Sequence, residues 1–310
     1  MTERKTNKAK SPPLPPLGVH LSIAGGVTCA IERATELGIN AFQCFGGNPR
    51  GWAQKPLDKD EAEAFREARK NTSLWPIVIH TSYLINLSSP DEELLKKSVV
   101  LFATEIERAM ALGIDYLVTH LGSPRGSGID FAIKRATEGV EKAVKIALKN
   151  SKVKKTGLEI LFENTAGSGT TTGSDIVDIG KIIDLLDAKN KAGGVGIKTG
   201  LCFDTCHGFA AGYPFKTPEE ADKLVAIIKK AVGLKRLKVI HLNDSKGEFN
   251  SRRDRHEHIG KGKIKTFGAF LNHKDIQGVP LILETPKETE TDDKRNLMRV
   301  RRILSAKGGK

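Results

Sequence analysis

No apolar stretch of this 310-residue chain approaches the roughly eighteen residues that a membrane-spanning helix requires, so the membrane is not among its expected partners. Cysteine is scarce. Cys29, Cys44, Cys202 and Cys206 are too few and too scattered for a disulfide scaffold, which points to a reducing, cytoplasmic setting. Cys202 and Cys206 stand beside His207 but lack the second cysteine pair of a structural zinc cluster, so they read as buried thiols. No G-x-G-x-x-G turn follows the first strand-like run. Ala24-Gly25-Gly26 is its nearest approach, and a dinucleotide-binding open sheet therefore lacks support. No motif repeats internally, which argues against a solenoid. The N-terminus is basic, but Ser11-Pro-Pro-Leu-Pro-Pro16 stands where a signal peptide needs an apolar core. Residues 1–16 thus read as a disordered basic and proline-rich lead-in, 306–310 as a flexible tail, and 17–305 as one domain.

What the chain does have is positive charge and an ordered succession of apolar runs. Fifty Lys and Arg against thirty-seven Asp and Glu give a net charge of +13, which suits a polyanionic partner. Strand-like runs recur at Leu17–Ser22, Ala41–Phe45, Pro76–Thr81, Tyr116–Gly122, Glu159–Asn164, Leu201–Thr205, Val239–Asp244 and Leu281–Thr285. From the third onward they begin about forty residues apart, room for a strand, a helix and two loops. Helical patterns fill the intervals at 58–71, 91–112, 130–149, 175–186, 218–232 and 288–304, with Asp58 as a start signal and Gly113 as a stop. Eight β-then-α units in succession predict an α/β fold: a closed (β/α)8 TIM barrel in a single domain.

In such a barrel the C-terminal strand ends share one rim, where the active site lies. Five apolar runs here end on a metal-ligating residue: His80, His120, Glu163, His241 and Glu284. A sixth leads into Asp204-Thr-Cys-His207. Asp204 and His207 sit three apart where a strand passes into a turn. Asp254 and His256 lie two apart in the loop after the seventh strand, on the same side of an extended segment. Any one of these histidines alone would be an ordinary core or surface residue. Five imidazoles and four carboxylates at converging strand ends exceed the needs of one ion and suit two or three, with shared carboxylates. The nitrogen–oxygen mixture favours Zn²⁺ and admits Mn²⁺ or Fe²⁺ at some sites. His20 also ends a strand and reads as an outer donor to the pocket, whereas His258 and His273 lack that placement. Clustered divalent ions point to phosphoester hydrolysis, and with the positive charge to a nucleic-acid phosphodiester.

At these segments the sequence resembles the endonuclease IV family of apurinic/apyrimidinic (AP) endonucleases. The resemblance is carried by His80-Thr-Ser-Tyr-Leu-Ile-Asn-Leu87, by Gly200-Leu-Cys-Phe-Asp-Thr-Cys-His207, and by His241-Leu-Asn-Asp-Ser-Lys246 running on to Asp254-Arg-His256. Glu163-Asn-Thr-Ala-Gly167 and Leu283-Glu284-Thr285 add to it, and it extends from about Leu17 to the last helix. It implies three zinc ions per chain: one on His80, His120 and Glu163, one on Asp204, His241 and Glu284 with Glu163 bridging the pair, and one on His207, Asp254 and His256. Glu163 and Glu284 would be the catalytic carboxylates, Glu284 also helping to orient or deprotonate the attacking water.

The implied reaction is incision of double-stranded DNA 5′ to an abasic site by hydroxide, giving a 3′-hydroxyl and a 5′-deoxyribose phosphate, together with removal of 3′-blocking groups. An abasic nucleotide, lacking stacking, flips out at low cost. Tyr83 and Leu84 resemble the family's intercalating wedge and Arg50, in Gly46-Gly-Asn-Pro-Arg-Gly-Trp52, its arginine partner. Lys246, Arg252, Arg253 and Arg255 are expected at phosphates. Gly167–Gly173 reads either as a phosphate-binding loop or as a connector. The resemblance loosens at Gly46-Gly47, at Ser88-Ser89 and in the loop after His120, and it favours a monomer. A metal-dependent sugar isomerase or epimerase on the same scaffold is the rival reading. That rival gives no role to the Asp254–His256 pair or to the Arg50 loop.

Overall fold

The computed structural model describes residues 14–151, 157–193 and 196–306, so most of the N-terminal lead-in and all but Ala306 of the C-terminal tail lie outside the described residues. Eight parallel strands close into a barrel: β1 (Leu17–His20), β2 (Ala41–Phe45), β3 (Ile77–His80), β4 (Tyr116–Thr119), β5 (Glu159–Glu163), β6 (Lys198–Asp204), β7 (Leu237–His241) and β10 (Leu281–Leu283). β1 pairs with both β2 and β10, which seals the ring. Outside it lie α1 (Cys29–Leu37), α2 (Lys59–Lys70), α3 (Glu92–Leu112), α4 (Ile129–Asn150), α5 (Ile176–Lys191), α7 (Pro218–Ala231) and α9 (Asp292–Ser305). Their starts follow from side-chain caps. Asp58, Asp91 and Asp175 each accept an N–H from the first turn of α2, α3 and α5, and Thr217 with Glu220 forms a capping box on α7.

The structure departs from the sequence reading after the sixth and seventh barrel strands. A second helix, α6 (Thr205–Ala211), starts directly from β6 where a turn was expected, because the Asp204 carboxylate accepts the His207 N–H at 2.6 Å and caps it. The expected strand Val239–Asp244 breaks at His241. Asn243 turns its amide toward neighbouring strands, and Asp244–Ser245 becomes β8, paired antiparallel with β9 (His256–Glu257). A single-turn helix, α8 (Gly268–Leu271), follows this hairpin, in a stretch where the sequence shows no helical pattern. Likewise α9 begins at Asp292 rather than at 288, since the Asp292 carboxylate accepts the Glu288 and Thr289 amides in a preceding turn.

Strand periodicity explains the site. Side chains alternate between the inside of the ring and the helix-facing outside. Ala41, Val78, Tyr116, Val118, Leu161, Cys202, Val239 and Ile282 form an inner apolar cluster separate from the large one between strands and helices. Two residues beyond the inner position of each strand, at the C-terminal end, stand His20, Gln43, His80, His120, Glu163, Asp204, His241 and Glu284. Every strand therefore contributes one polar residue to a single layer above the apolar floor. Gly18, the inner residue of β1, is held to glycine because a Cβ there would strike the Ala41 backbone.

Candidate metal centre

The ring layer supplies six of the nine sequence-predicted ligands, and α6 and the β8–β9 hairpin bring the other three. Their donor atoms assemble into His80, His120 and Glu163; into Glu163, Asp204, His241 and Glu284; and into His207, Asp254 and His256. Within each group the atoms lie inside 4.8 Å of one another. Glu163 belongs to two groups: Oε2 faces His80 Nε2 at 3.2 Å and His120 Nε2 at 3.5 Å, while Oε1 faces His241 Nδ1 at 3.0 Å and His207 Nδ1 at 3.3 Å. His207 Nε2 lies 3.2 Å from Asp254, and His256 Nε2 lies 3.4 Å from Asp254 and 3.7 Å from Asp204. A fourth combination, Asp204, Cys206 and His256, is equally close, with the Cys206 thiol buried and its pKa pushed up to about 12 by that burial.

The second ring nitrogens orient these imidazoles. His80, His207 and His256 donate Nδ1–H to the carbonyls of Thr81 (2.8 Å), Asn164 (3.0 Å) and Glu284 (3.2 Å). His241 donates Nε2–H to the Gln43 amide oxygen at 2.8 Å. For His80, His241 and His256 the other ring nitrogen then faces a carboxylate oxygen, the disposition of a ligand imidazole whose second nitrogen is held by the fold. His120 Nδ1 and His256 Nε2 are buried and have no hydrogen-bond partner. Burial acts to lower the pKa values of His80, His207 and His241, yet the surrounding carboxylates, joined at His241 by the neighbouring Cys202, hold all three above the ordinary imidazole value. His120, where burial dominates, falls to about 4. Burial acts to raise Glu163 and Glu284, but the imidazoles keep both below the ordinary carboxylate range. Buried carboxylates facing imidazole nitrogens make a centre whose residues fit divalent cations.

Two members of the ring layer are not in these groups. Gln43 donates to Glu284 Oε1 at 2.6 Å and to His20 Nδ1 at 3.0 Å while accepting from His241, so it fixes two ligands of the middle group. His20 has the outer position expected of it, 3.8 Å from Glu284. Gln43 was passed over in the sequence, although a glutamine inside Ala41–Phe45 is itself an anomaly worth noting. Asn243 was missed as well. It donates to Asp204 Oδ2 at 2.6 Å and accepts the Glu284 N–H at 2.8 Å. His258 bonds Asn296 and His273 bonds Asp222, away from the groups.

Around the mouth, Tyr83 is 60% exposed and lines a cavity of about 410 Å³ with residues of all three groups. Leu84 differs: it is half-buried against the core, so Tyr83 is the side chain that projects. Arg50 is exposed, and its loop is tied to Tyr83, whose N–H donates to Pro49 O at 3.1 Å. Beneath that loop Glu105 of α3 is buried, accepting the Ser82 N–H with one oxygen and leaving the other without a partner. A Cβ at Gly46 would collide with it, which accounts for the glycine. Lys246, Arg252, Arg253 and Arg255 are exposed on the β8–β9 loop. In the 167–173 segment Thr171 and Thr172 donate their amides to the carbonyls of Ser168 and Gly122, and the Ser168 hydroxyl donates to the Arg252 carbonyl.

Residues 31–304 match the family model for a xylose isomerase-like TIM barrel. A protein named "Probable endonuclease 4" from Methanoculleus marisnigri is 41% identical over 94% of this chain and 99% of its own length. Its namesake from Halothermothrix orenii is 40% identical over 89% and 95%. Among solved structures, endonuclease IV from Thermus thermophilus superposes with a TM-score of 0.79 at 38% identity, covering 94% of this chain and 99% of that one. A D-tagatose 3-epimerase-like protein, at 20% identity and a TM-score of 0.68, shares the fold. Identity at this level across nearly the whole length, on a barrel that gathers the expected residues at one rim, places the chain in the endonuclease IV family.

Proposed function

We propose that this chain is a zinc-dependent AP endonuclease. It would hydrolyse the phosphodiester 5′ to abasic sites in duplex DNA, leaving a 3′-hydroxyl and a 5′-deoxyribose phosphate, and would clear 3′-blocking groups. The observation that carries the reading is the division of nine donors into three groups with Glu163 in two of them. The residues suit three Zn²⁺ ions per chain, with Mn²⁺ or Fe²⁺ admitted at some sites. Bound there, such ions supply Lewis acidity, activating water at neutral pH and neutralising phosphate charge.

The chain's own residues do the rest. Glu163 sets the spacing of the first two groups through its two oxygens. Glu284, part-exposed to the cavity and held by Gln43, would help to orient or deprotonate the attacking water. Tyr83 stands over the cavity, where an extruded abasic sugar leaves a gap to fill. Arg50, Lys246, Arg252, Arg253 and Arg255 are exposed cations for the flanking phosphates, and Leu84, half-buried against the core, completes the wedge next to Tyr83 in the chain. The reading extends to a monomer acting in the cytoplasm.

A metal-dependent sugar epimerase shares the barrel, but fold alone does not assign chemistry. The third group, built on Asp254 and His256, and the exposed cations favour DNA. The test is incubation of the zinc-loaded protein with a duplex carrying one tetrahydrofuran abasic analogue, which a β-elimination lyase cannot cut. Incision 5′ to the analogue is expected. An intact duplex after full metal loading would refute the reading.

A further inference from the structure

Twelve residues line the cavity over the three groups, and only one of them is a permanent cation. It is Lys287, four residues past the end of β10. None of Arg50, Lys246, Arg252, Arg253 or Arg255 reaches the cavity wall. The Lys287 side chain is 42% exposed, and its ammonium is held from two sides at 2.6 Å each, by the His20 carbonyl at the end of β1 and by Asp293 on α9. An ammonium has three donors. Two are spent on the fold and one remains at the cavity. Elsewhere the wall offers the anionic or imidazole side chains of the ligand groups together with His20, Phe45, Tyr83 and Thr285. A phosphate entering this cavity finds one side-chain ammonium, already immobilised, so little rotamer entropy is lost on contact.

We propose that Lys287 is a phosphate-binding residue of this site, gripping a nonbridging oxygen of the strand that enters the cavity. The proposal rests on the phosphodiester reading above. The competing explanation is that Lys287 merely neutralises Asp293, whose carboxylate is largely buried and has one oxygen without a partner. Removing the lysine alone would leave that charge exposed to the substrate, so the two explanations separate only when both residues are changed.

The experiment measures binding of the already incised duplex, carrying a 5′-phosphate and unable to be cut again, by the zinc-loaded protein and its variants between 50 and 200 mM salt. K287M is expected to weaken binding about tenfold, as loss of one charge-assisted hydrogen bond should, and to flatten the slope of log affinity against log salt by about 0.9. K287R should stay within about threefold of the parent, since the charge is kept. K287M/D293N should remain as weak as K287M. If the double variant recovers the parental affinity and slope, the lysine serves only Asp293 and the proposal is wrong; an unchanged slope in K287M overturns it equally. Failure to cut a tetrahydrofuran duplex would count against the endonuclease reading, whereas these binding slopes report the phosphate contact on their own.

Discussion

Replacing Glu105 with Gln tests how the loops above the metal centre are supported. Burial raises the Glu105 carboxyl from 4.5 to about 7, with the charges of Arg108 and His80 and the Ser82 N–H pulling the other way. A carboxyl whose folded value exceeds its unfolded value holds its proton more tightly in the native chain. Its contribution to stability is complete below about 4.5 and is lost as the pH climbs through about 7. Across that interval the loss amounts to roughly 3 kcal/mol. Glutamine keeps the shape and the oxygen that accepts from Ser82 but cannot ionise. Glu105→Gln should therefore differ from the parent by less than about 1 kcal/mol near pH 5 and be more stable by up to roughly 3 kcal/mol at pH 8.5. Denaturant unfolding of both proteins from pH 5 to 8.5 at constant zinc measures this, and the difference cancels the titration of the ligands that both share. A gap that does not vary with pH, or a parent that is the more stable at pH 8.5, would show Glu105 to be ionised in the native fold and the reasoning mistaken.

Other substitutions probe the centre directly. Glu163→Ala removes a carboxylate from two donor groups at once; turnover should fall by more than the ~100-fold typical of an outer partner, with zinc content reduced, and near-normal rates would exclude a bridging role. Gln43→Ala frees Glu284 and His241 from their common support, so zinc affinity or kcat should drop by about 10- to 100-fold in metal titrations and steady-state assays. Asp244 is a buried carboxylate accepting the amides of Ser245, Gly262, Ile264 and Lys265, which clips both ends of the loop bearing Asp254 and His256. Asp244→Ala should cost about 3 kcal/mol and speed hydrogen exchange across residues 246–262. Exchange no faster there than in the parent would show the clip to be unimportant.

The barrel and most of the centre were legible because two periodicities coincide. An apolar run that ends in His or Glu reveals both a strand and its inward side, and six such endings converge once the strands are parallel. His207, Asp254 and His256 were legible from their spacing beside the strand ends, but the helix and the hairpin that carry them were not, and their division into three groups needed the family resemblance. The run Val239–Asp244 looked continuous because Leu242 is apolar and buried, yet Asn243 spends its side chain on Asp204 and Glu284, so the strand stops. Gln43 and Lys287 were passed over for a different reason. Each matters through what it touches across more than two hundred residues of chain, Gln43 with Glu284 and Lys287 with His20. Local sequence holds no trace of such partners.

The layer of inward residues draws one member from every barrel strand, and β10, which delivers Glu284, is the piece that meets β1 and closes the ring. During synthesis His80 and His120 leave the ribosome long before Glu284 exists. A nascent or truncated chain lacks a member of the middle group and cannot yet act as a nuclease in the proposed sense. An ion that binds only the closed ring also stabilises it by mass action, and the gain grows with the free ion concentration. Metal starvation would then act twice, stopping turnover by the emptied molecules and leaving those same molecules less stable against proteolysis.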